Sequence, residues 1–115
     1  MKFKLIMAFV KPNITDDVIG AMKEAGATGA TIIPARGTGI HEAKSFFGLS
    51  IEELTEIIVF LVEEHVVEKF MNVIEKAGKF DKPGTGIAFV LPIEHIAGLE
   101  SQMKKFKDQA RDQYF

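Results

Sequence analysis

The stretch ATIIPARGTG, residues 30–39, decides the fold when it is set beside PGTGIAFVL, residues 83–91. Each stretch combines a β-prone apolar run with a Gly-x-Gly turn, and each follows an amphipathic helical segment. Glycine permits a positive φ and a close approach of the backbone to a ligand, and successive N–H groups in such turns form concavities that hold anions. The pattern predicts two βαβ-type halves whose glycine turns meet at one cleft, as in a sensor of a small molecule.

The bulk composition is that of one ordinary globular domain, residues 1–115, with 47% hydrophobic and 26% charged residues. The formal net charge of -2 argues against nucleic acid as a partner. The absence of cysteine excludes disulfides, thiolate metal sites and a cysteine nucleophile, and it fits a reducing compartment. The apolar runs are much shorter than the roughly 20 residues of a membrane helix, and the N-terminus lacks the features of a secretory signal. We therefore expect a cytoplasmic protein.

Four strands and two helices are predicted along the chain. The strands are Phe3–Val10, Ala30–Arg36, Glu56–Val62 and Gly86–Leu91, the last one ending at Pro92. The first helix has Asn13 and Thr15 as candidate N-caps and stops at Gly26. The second helix opens at Glu63 and Glu64 and stops at Gly78.

This order, βαββαβ, predicts an α+β fold of the ferredoxin-like type, with a four-stranded antiparallel sheet complete by residue 91. Residues 92–115 form a C-terminal extension that is helical from about Leu99. Both helices cover one face of such a sheet, yet residues 5–10, 57–62 and 87–91 are apolar on both faces. Large uncovered apolar faces mark association surfaces, so a homo-oligomer is predicted.

The second and third strands are joined by a long connection, residues 38–54. Ser50 and Glu53 have the spacing of a capping box, which predicts a helical turn just before the third strand. The pair Phe46-Phe47 suits either a partner-docking tip or an anchor folded onto the core, and the anchor is favoured because exposed phenylalanines lower solubility.

The chain resembles the PII family of signalling proteins over nearly all of residues 3–91. The resemblance rests on LIMAFVKP followed by a helix, on EAGATGATIIPARGTG, which is close to the family pattern E-x-G-x-T-G-x-T-V…G-x-G, and on GTGIAFV, which is similar to the family's G-D-G-K-I-F-V. It implies a non-enzymatic homotrimer whose sheets face the central axis. It further implies a nucleotide site between subunits, bounded by the base of a long T-loop and by a short B-loop.

The residues that the resemblance assigns to the ligand site fall into two turns and their surroundings. Gly37 and Gly39 match the glycines that begin the T-loop, Gly84 and Gly86 match those of the B-loop, and Phe9 and Thr31 stand where the family has cleft walls. Beside these, the pattern of residues adds candidate contacts from further side chains, which are Arg36, Thr38, His41, Lys82 and Thr85. A solvated strand end is the alternative for Arg36, and for His41 an exposed loop position is the favoured alternative.

Several residues depart from the family pattern. Ile87 replaces the lysine that follows the second B-loop glycine, Gly98 and Glu100 replace the phosphate-gripping arginines, and Ile40-His41 replaces an arginine-glutamine pair. The T-loop is shorter and lacks its tyrosine-bearing tip, which excludes uridylylation there. Because ATP needs charge-assisted contacts to its polyphosphate, we expect a smaller effector, an adenine nucleotide or a simple anion, and no resident cofactor.

The resemblance also implies a regulated partner protein, with a membrane transporter as the preferred one. Two alternatives stay open. One is a structural or interaction trimer whose effector site has decayed. The other is a small enzyme or a metal-binding protein that uses His41, His65 or His95, although no histidine pair has the spacing of a helical zinc site and no nucleophile–base set is assembled.

Overall fold

A computed structural model describes residues 2–36, 45–46, 49–50 and 54–101 of the chain. Its elements follow the predicted order, with one small hairpin added between the second and third predicted strands. They are β1 (Phe3–Val10), α1 (Pro12–Glu24), β2 (Thr31–Arg36), β3 (Ser45–Phe46), β4 (Leu49–Ser50), β5 (Leu54–Glu63), a 3-10 turn (Glu64–Val66), α2 (Val67–Ala77) and β6 (Gly86–Pro92).

Four of these strands form one antiparallel sheet in the order β2-β5-β1-β6. Strand β1 lies between β5 and β6, with Met7 opposite both Val59 and Phe89. Strands β2 and β6 are the two edges. The predicted ferredoxin-like α+β fold is confirmed. A separate two-stranded sheet pairs β3 with β4.

One face of the sheet carries the core. Alternate residues of β1 and β5 lie on the side of α1 and α2, because the period of a strand is two, and those within residues 6–10 and 58–62 are excluded from solvent. Helix α1 contributes Val18 and Met22, and α2 contributes Phe70 and Ile74. The buried apolar residues of the two central strands are Ile6, Ala8, Val10, Ile58, Phe60 and Val62.

The opposite face has no helix on it among the described residues and is almost entirely apolar. We call it the open face and define it by the register of the four strands. Its residues are Phe3, Leu5, Met7, Phe9, Thr31, Ile33, Ala35, Thr55, Ile57, Val59, Leu61, Glu63, Ile87, Phe89 and Leu91. The prediction that these strands are apolar on both faces is correct.

The start of α1 differs from the prediction. Neither Asn13 nor Thr15 is the N-cap, since the helix begins at Pro12 and the capping position is Lys11, with φ -71° and ψ 145°. Proline suits the first helical position because its φ is already helical and the N–H it lacks would have no partner there. At the other end, Ala25 is the C-cap and Gly26 follows with φ 109°, which agrees with the predicted stop.

Two boundaries after the long connection also differ from the prediction. Within the connection, Ser50 belongs to β4 and pairs with Ser45, and the helical turn predicted just before the third strand lies outside the described residues. Glu63 is the last residue of β5 and caps the 3-10 turn, so α2 begins later than predicted. Pro92 continues β6 opposite Lys4, which an edge strand tolerates because its outer side needs no N–H.

The described part of the C-terminal extension is helical from Leu99 to Ser101, where the prediction placed the start of a helix. Among the described residues, no helix has both the length and the apolar character required to cross a membrane.

Candidate functional site

The loops that the sequence singles out leave the sheet at one end. The strand register brings four strand ends together there. They are the end of β2 at Arg36, the start of β5 at Leu54, the end of β1 at Val10 and the start of β6 at Gly86. We call this the loop end of the sheet. The base of the long connection and the turn before β6 therefore both lie there, as a shared binding site requires.

The residues that flank the two turns lie on different edges of the sheet. Strands β5 and β1 separate Arg36, just before the first turn, from Gly86, at the end of the second, by three strand spacings, or roughly 14 Å. The Gly37-Thr38-Gly39 turn itself lies outside the described residues, so its meeting with the other glycine turn at a cleft between subunits stays a prediction.

The turn before β6, residues 79–85, is held together by its own polar groups. The Thr85 hydroxyl lies 2.8 Å from the carbonyl oxygens of both Lys79 and Lys82 and donates its one hydrogen between them. The Lys82 N–H donates to the Lys79 carbonyl at 3.0 Å. Lys79 and Gly84 have φ values of 55° and 79°. The Thr85 side chain thus serves the turn internally, and a ligand there would meet the backbone and Lys82.

Gly86 is required by packing. A Cβ at this position would lie 2.7 Å from the Phe9 carbonyl oxygen and 2.6 Å from the Phe80 ring. The same ring would also clash with a Cβ on Gly78, so Phe80 lies against both glycines that flank the turn. Sequence reasoning did not single out Phe80. The only signal was one aromatic residue between two glycines, and its contacts depend on the return of the chain at β6.

The remaining predicted site residues lie on both faces of the sheet. Phe9 and Thr31 are on the open face, and the Phe9 ring stands 5.6 Å from that of Phe89. Arg36 is exposed on the helix side of β2, opposite Leu54, and Lys82 is exposed on the turn. The predicted contacts at Gly37, Thr38, Gly39 and His41, together with the possible anchor at Phe47, lie outside the described residues.

His65 and His95 lie at the end of the sheet opposite the loop end. His65 follows β5 and its Nε2 is 3.3 Å from Glu63 Oε2, whereas His95 follows β6 and is exposed. In the described residues no three His, Cys, Asp or Glu side chains are grouped so as to hold a metal ion. A groove of about 1010 Å³ at this same end is lined by Lys2, Lys4 and the segment after β6, far from the glycine turns.

The element order and the uncovered sheet define the class of this protein, a ferredoxin-like α+β protein whose loops gather at one end of the sheet. The chain belongs to the nitrogen regulatory protein P-II family, whose model matches residues 3–102. Proteins of this family are non-enzymatic signal-transduction regulators. They are generally trimeric, bind small effectors and regulate partner proteins.

Individual relatives agree with this assignment. The nitrogen regulatory protein P-II of Azospirillum brasilense is 27% identical over 106 residues, which cover 88% of this chain and 95% of the relative. That of Rhodospirillum rubrum is 29% identical over 96 residues, covering 79% and 86%. The crystal structure of Arabidopsis thaliana PII bound to citrate has a TM-score of 0.64 at 27% identity, covering 80% of this chain and 78% of the plant chain.

Proposed function

We propose that this PII protein assembles as a homotrimer through its open face and senses a small effector in the clefts between subunits. One observation carries the proposal: Arg36 and Gly86, which flank the two loop-end turns, lie on opposite edges of the sheet, so that a neighbouring chain is needed to bring both turns to one site. The open face supports it further, because Leu61, Ile33 and Leu91 are 42%, 43% and 37% exposed in the single chain. Apolar area of this kind favours association.

The charges at the loop end favour an effector that carries few negative charges. Arg36 and Lys82 are exposed there, while Ile87 stands where the family pattern has a lysine. Glu100 stands where that pattern has an arginine, and it lies at the opposite end of the same chain. An adenine nucleotide with a short phosphate chain, or a small anion, needs fewer charge-assisted hydrogen bonds than ATP does. The citrate bound by the Arabidopsis relative supports the small-anion alternative.

The output of the sensor, in this proposal, is the connection of residues 38–54. Effector binding at the base of this connection favours one of its conformations to the extent that the effector binds that conformation more tightly. The connection then docks on, or leaves, a regulated protein. By resemblance to the family, we propose a membrane transporter as that partner.

Calorimetry with AMP, ADP, ATP and inorganic phosphate tests the sensing. We expect AMP, ADP or phosphate to bind, and we expect Arg36→Gln and Lys82→Gln each to weaken binding by about 5- to 10-fold, because glutamine keeps an N–H donor and loses only the charge assistance of the hydrogen bond. Lys76→Gln, an exposed change in the last turn of α2, is the matched control and should bind normally. Gly86 is unsuitable for this test because its replacement disturbs the Phe80 contact.

Binding of none of these ligands would remove the sensing function and leave the assembly in place. That outcome would favour the second candidate function, an interaction trimer whose effector site has decayed. The internal use of the Thr85 hydroxyl and the packing role of Gly86 support this candidate. A thermal-shift panel separates the two, because a ligand that binds the folded state raises its melting temperature.

A further inference from the structure

The open face carries a single ionisable side chain among its described residues, that of Glu63. Glu63 ends β5 and stands opposite Phe3 of β1, and its neighbour along the same face of β5 is Leu61. A carboxylate on an otherwise apolar association surface is costly once the surface is covered, because a charge that loses its water needs a partner.

His65 lies beside the Glu63 carboxylate and is its partner in the structure. The Nε2 of His65 lies 3.3 Å from Oε2 of Glu63, and the two side chains are 72% and 33% exposed. In the single chain such a pair contributes little, since water screens it and the imidazole need not be charged. Covering the open face lowers the local dielectric and strengthens the interaction whenever the imidazole is protonated.

The other charged groups at this end belong to different pairs or point elsewhere. Lys4 lies on the helix side of β1, with its Nζ 4.0 Å from Glu64 Oε1. The Glu64 N–H donates to the Lys2 carbonyl at 2.9 Å. Glu94 and His95 follow β6 and line the groove together with Lys2, Lys4 and Glu100. From β1, the residue facing Glu63 is the uncharged Phe3.

We propose that the Glu63–His65 pair makes association through the open face dependent on protons, so that the subunits hold together more tightly when His65 is protonated. The inference rests on the proposed assembly of copies through that face. Histidine is the side chain that changes charge between about pH 5 and 8. Since protonation favours the covered state, association must in turn favour protonation, and the complex tightens as pH falls from 8 to 6.

Sedimentation of the full chain over a range of protein concentrations at pH 6, 7 and 8, at constant ionic strength, tests this. Where dissociation is too weak to follow, the rate of subunit exchange between isotopically distinct copies replaces it. We expect association about 3- to 10-fold tighter at pH 6 than at pH 8, the difference between a charge-assisted and a neutral hydrogen bond.

Three variants isolate the pair. His65→Gln keeps an N–H donor but does not titrate, so its association should lose this pH dependence and match that of the parent protein at pH 8. Glu63→Gln removes the charge from the face and should associate more tightly than the parent protein at pH 8. His95→Gln is the matched control, because His95 lies at the same end without contacting Glu63 among the described contacts, and it should keep the parent pH dependence.

The outcomes separate the two proposals. Trimers whose affinity is the same at pH 6 and pH 8, or whose pH dependence persists in His65→Gln, overturn the role of the pair and leave the assembly intact. Single chains at every pH and concentration overturn the proposed assembly itself, and the role of the pair fails with it.

Discussion

The two faces of the sheet have nearly the same composition and very different surroundings. On β5, Ile58 and Phe60 face the helices and are 0% and 1% exposed, whereas Leu61 faces away from them and is 42% exposed. An apolar strand face contributes favourable free energy only when something removes it from water. The difference teaches that the described part of the chain covers one face of the central strands and leaves the other face uncovered, which is the premise of the proposed assembly.

The strongest way to break this contrast is to truncate neighbouring residues of β5 that point in opposite directions. Phe60 is 1% exposed beneath the helices, and we expect Phe60→Ala to lower the free energy of unfolding by about 3–5 kcal/mol. Leu61→Ala, one residue further on the open face, should lower it by less than about 1 kcal/mol when measured on dissociated chains. Urea unfolding at low protein concentration measures both.

The variant with the larger effect should change when association is measured in place of the free energy of unfolding. Leu61→Ala removes apolar area from the open face and should weaken association, while chains of Phe60→Ala that remain folded should associate normally. Equal losses of stability in the two variants on dissociated chains would mean that β5 is covered on both sides within one chain. The contrast between the faces would then be wrong.

A charge in the middle of the open face sharpens the contrast further. Met7 lies opposite Val59 and Phe89, and Met7→Glu places a carboxylate there without a partner. Burial of such a charge is strongly unfavourable, so we expect association to weaken at least about 100-fold, or about 2.7 kcal/mol. Sedimentation measures it. Asn72→Glu, the same change of charge on an exposed position of α2, is the control and should leave association unchanged.

Much of this fold can be predicted from the sequence because its signals are local. Phe3–Val10 is recognisable as a strand from its continuous apolar run, and Gly26 marks a helix end through its positive φ. Gly78 also follows a helix, but its φ of -82° is ordinary, and the Phe80 ring is what leaves no room for a side chain there. The start of α1 was misread, since Asn13 and Thr15 are good caps in isolation and Pro12 takes the first helical position before them.

The candidate site was harder to predict because its geometry depends on contacts between distant parts of the chain. The turn sequence around Gly84 is visible, but the approach of Phe80 and of the Phe9 carbonyl to Gly86 is set by the pairing of β6 with β1. Strand order likewise places Arg36 and Gly86, which flank the two glycine turns, on opposite edges of the sheet, and no local pattern encodes that separation. Two segments with similar local sequences are expected to have similar backbone shapes. The distance between them in the fold depends on the strand order of the whole sheet.

The smallest expected effect concerns the one described polar residue in the buried core on the helix side. Thr15 is 2% exposed, and its hydroxyl has no hydrogen-bond partner among the described residues. Thr15→Val keeps the shape and removes the unpaired group, so we expect the free energy of unfolding to rise by about 1 kcal/mol, while Thr15→Ser should lower it by leaving a hydroxyl and losing a methyl. Thermal and urea unfolding measure both.

Destabilisation by Thr15→Val would mean that the hydroxyl has a hydrogen-bond partner, such as a buried water. The helix-covered core would then hold a polar group with a partner, as the open face holds Glu63. A gain in stability would instead establish a real asymmetry between the two faces. Thr15 of α1 holds its hydroxyl in the helix-covered core at a net cost, because no described residue supplies a partner for it. The open face holds Glu63 beside His65, where a partner is already in reach. A surface whose one described charge has a partner at hand is suited to being covered and uncovered, whereas the core is covered once, when the chain folds.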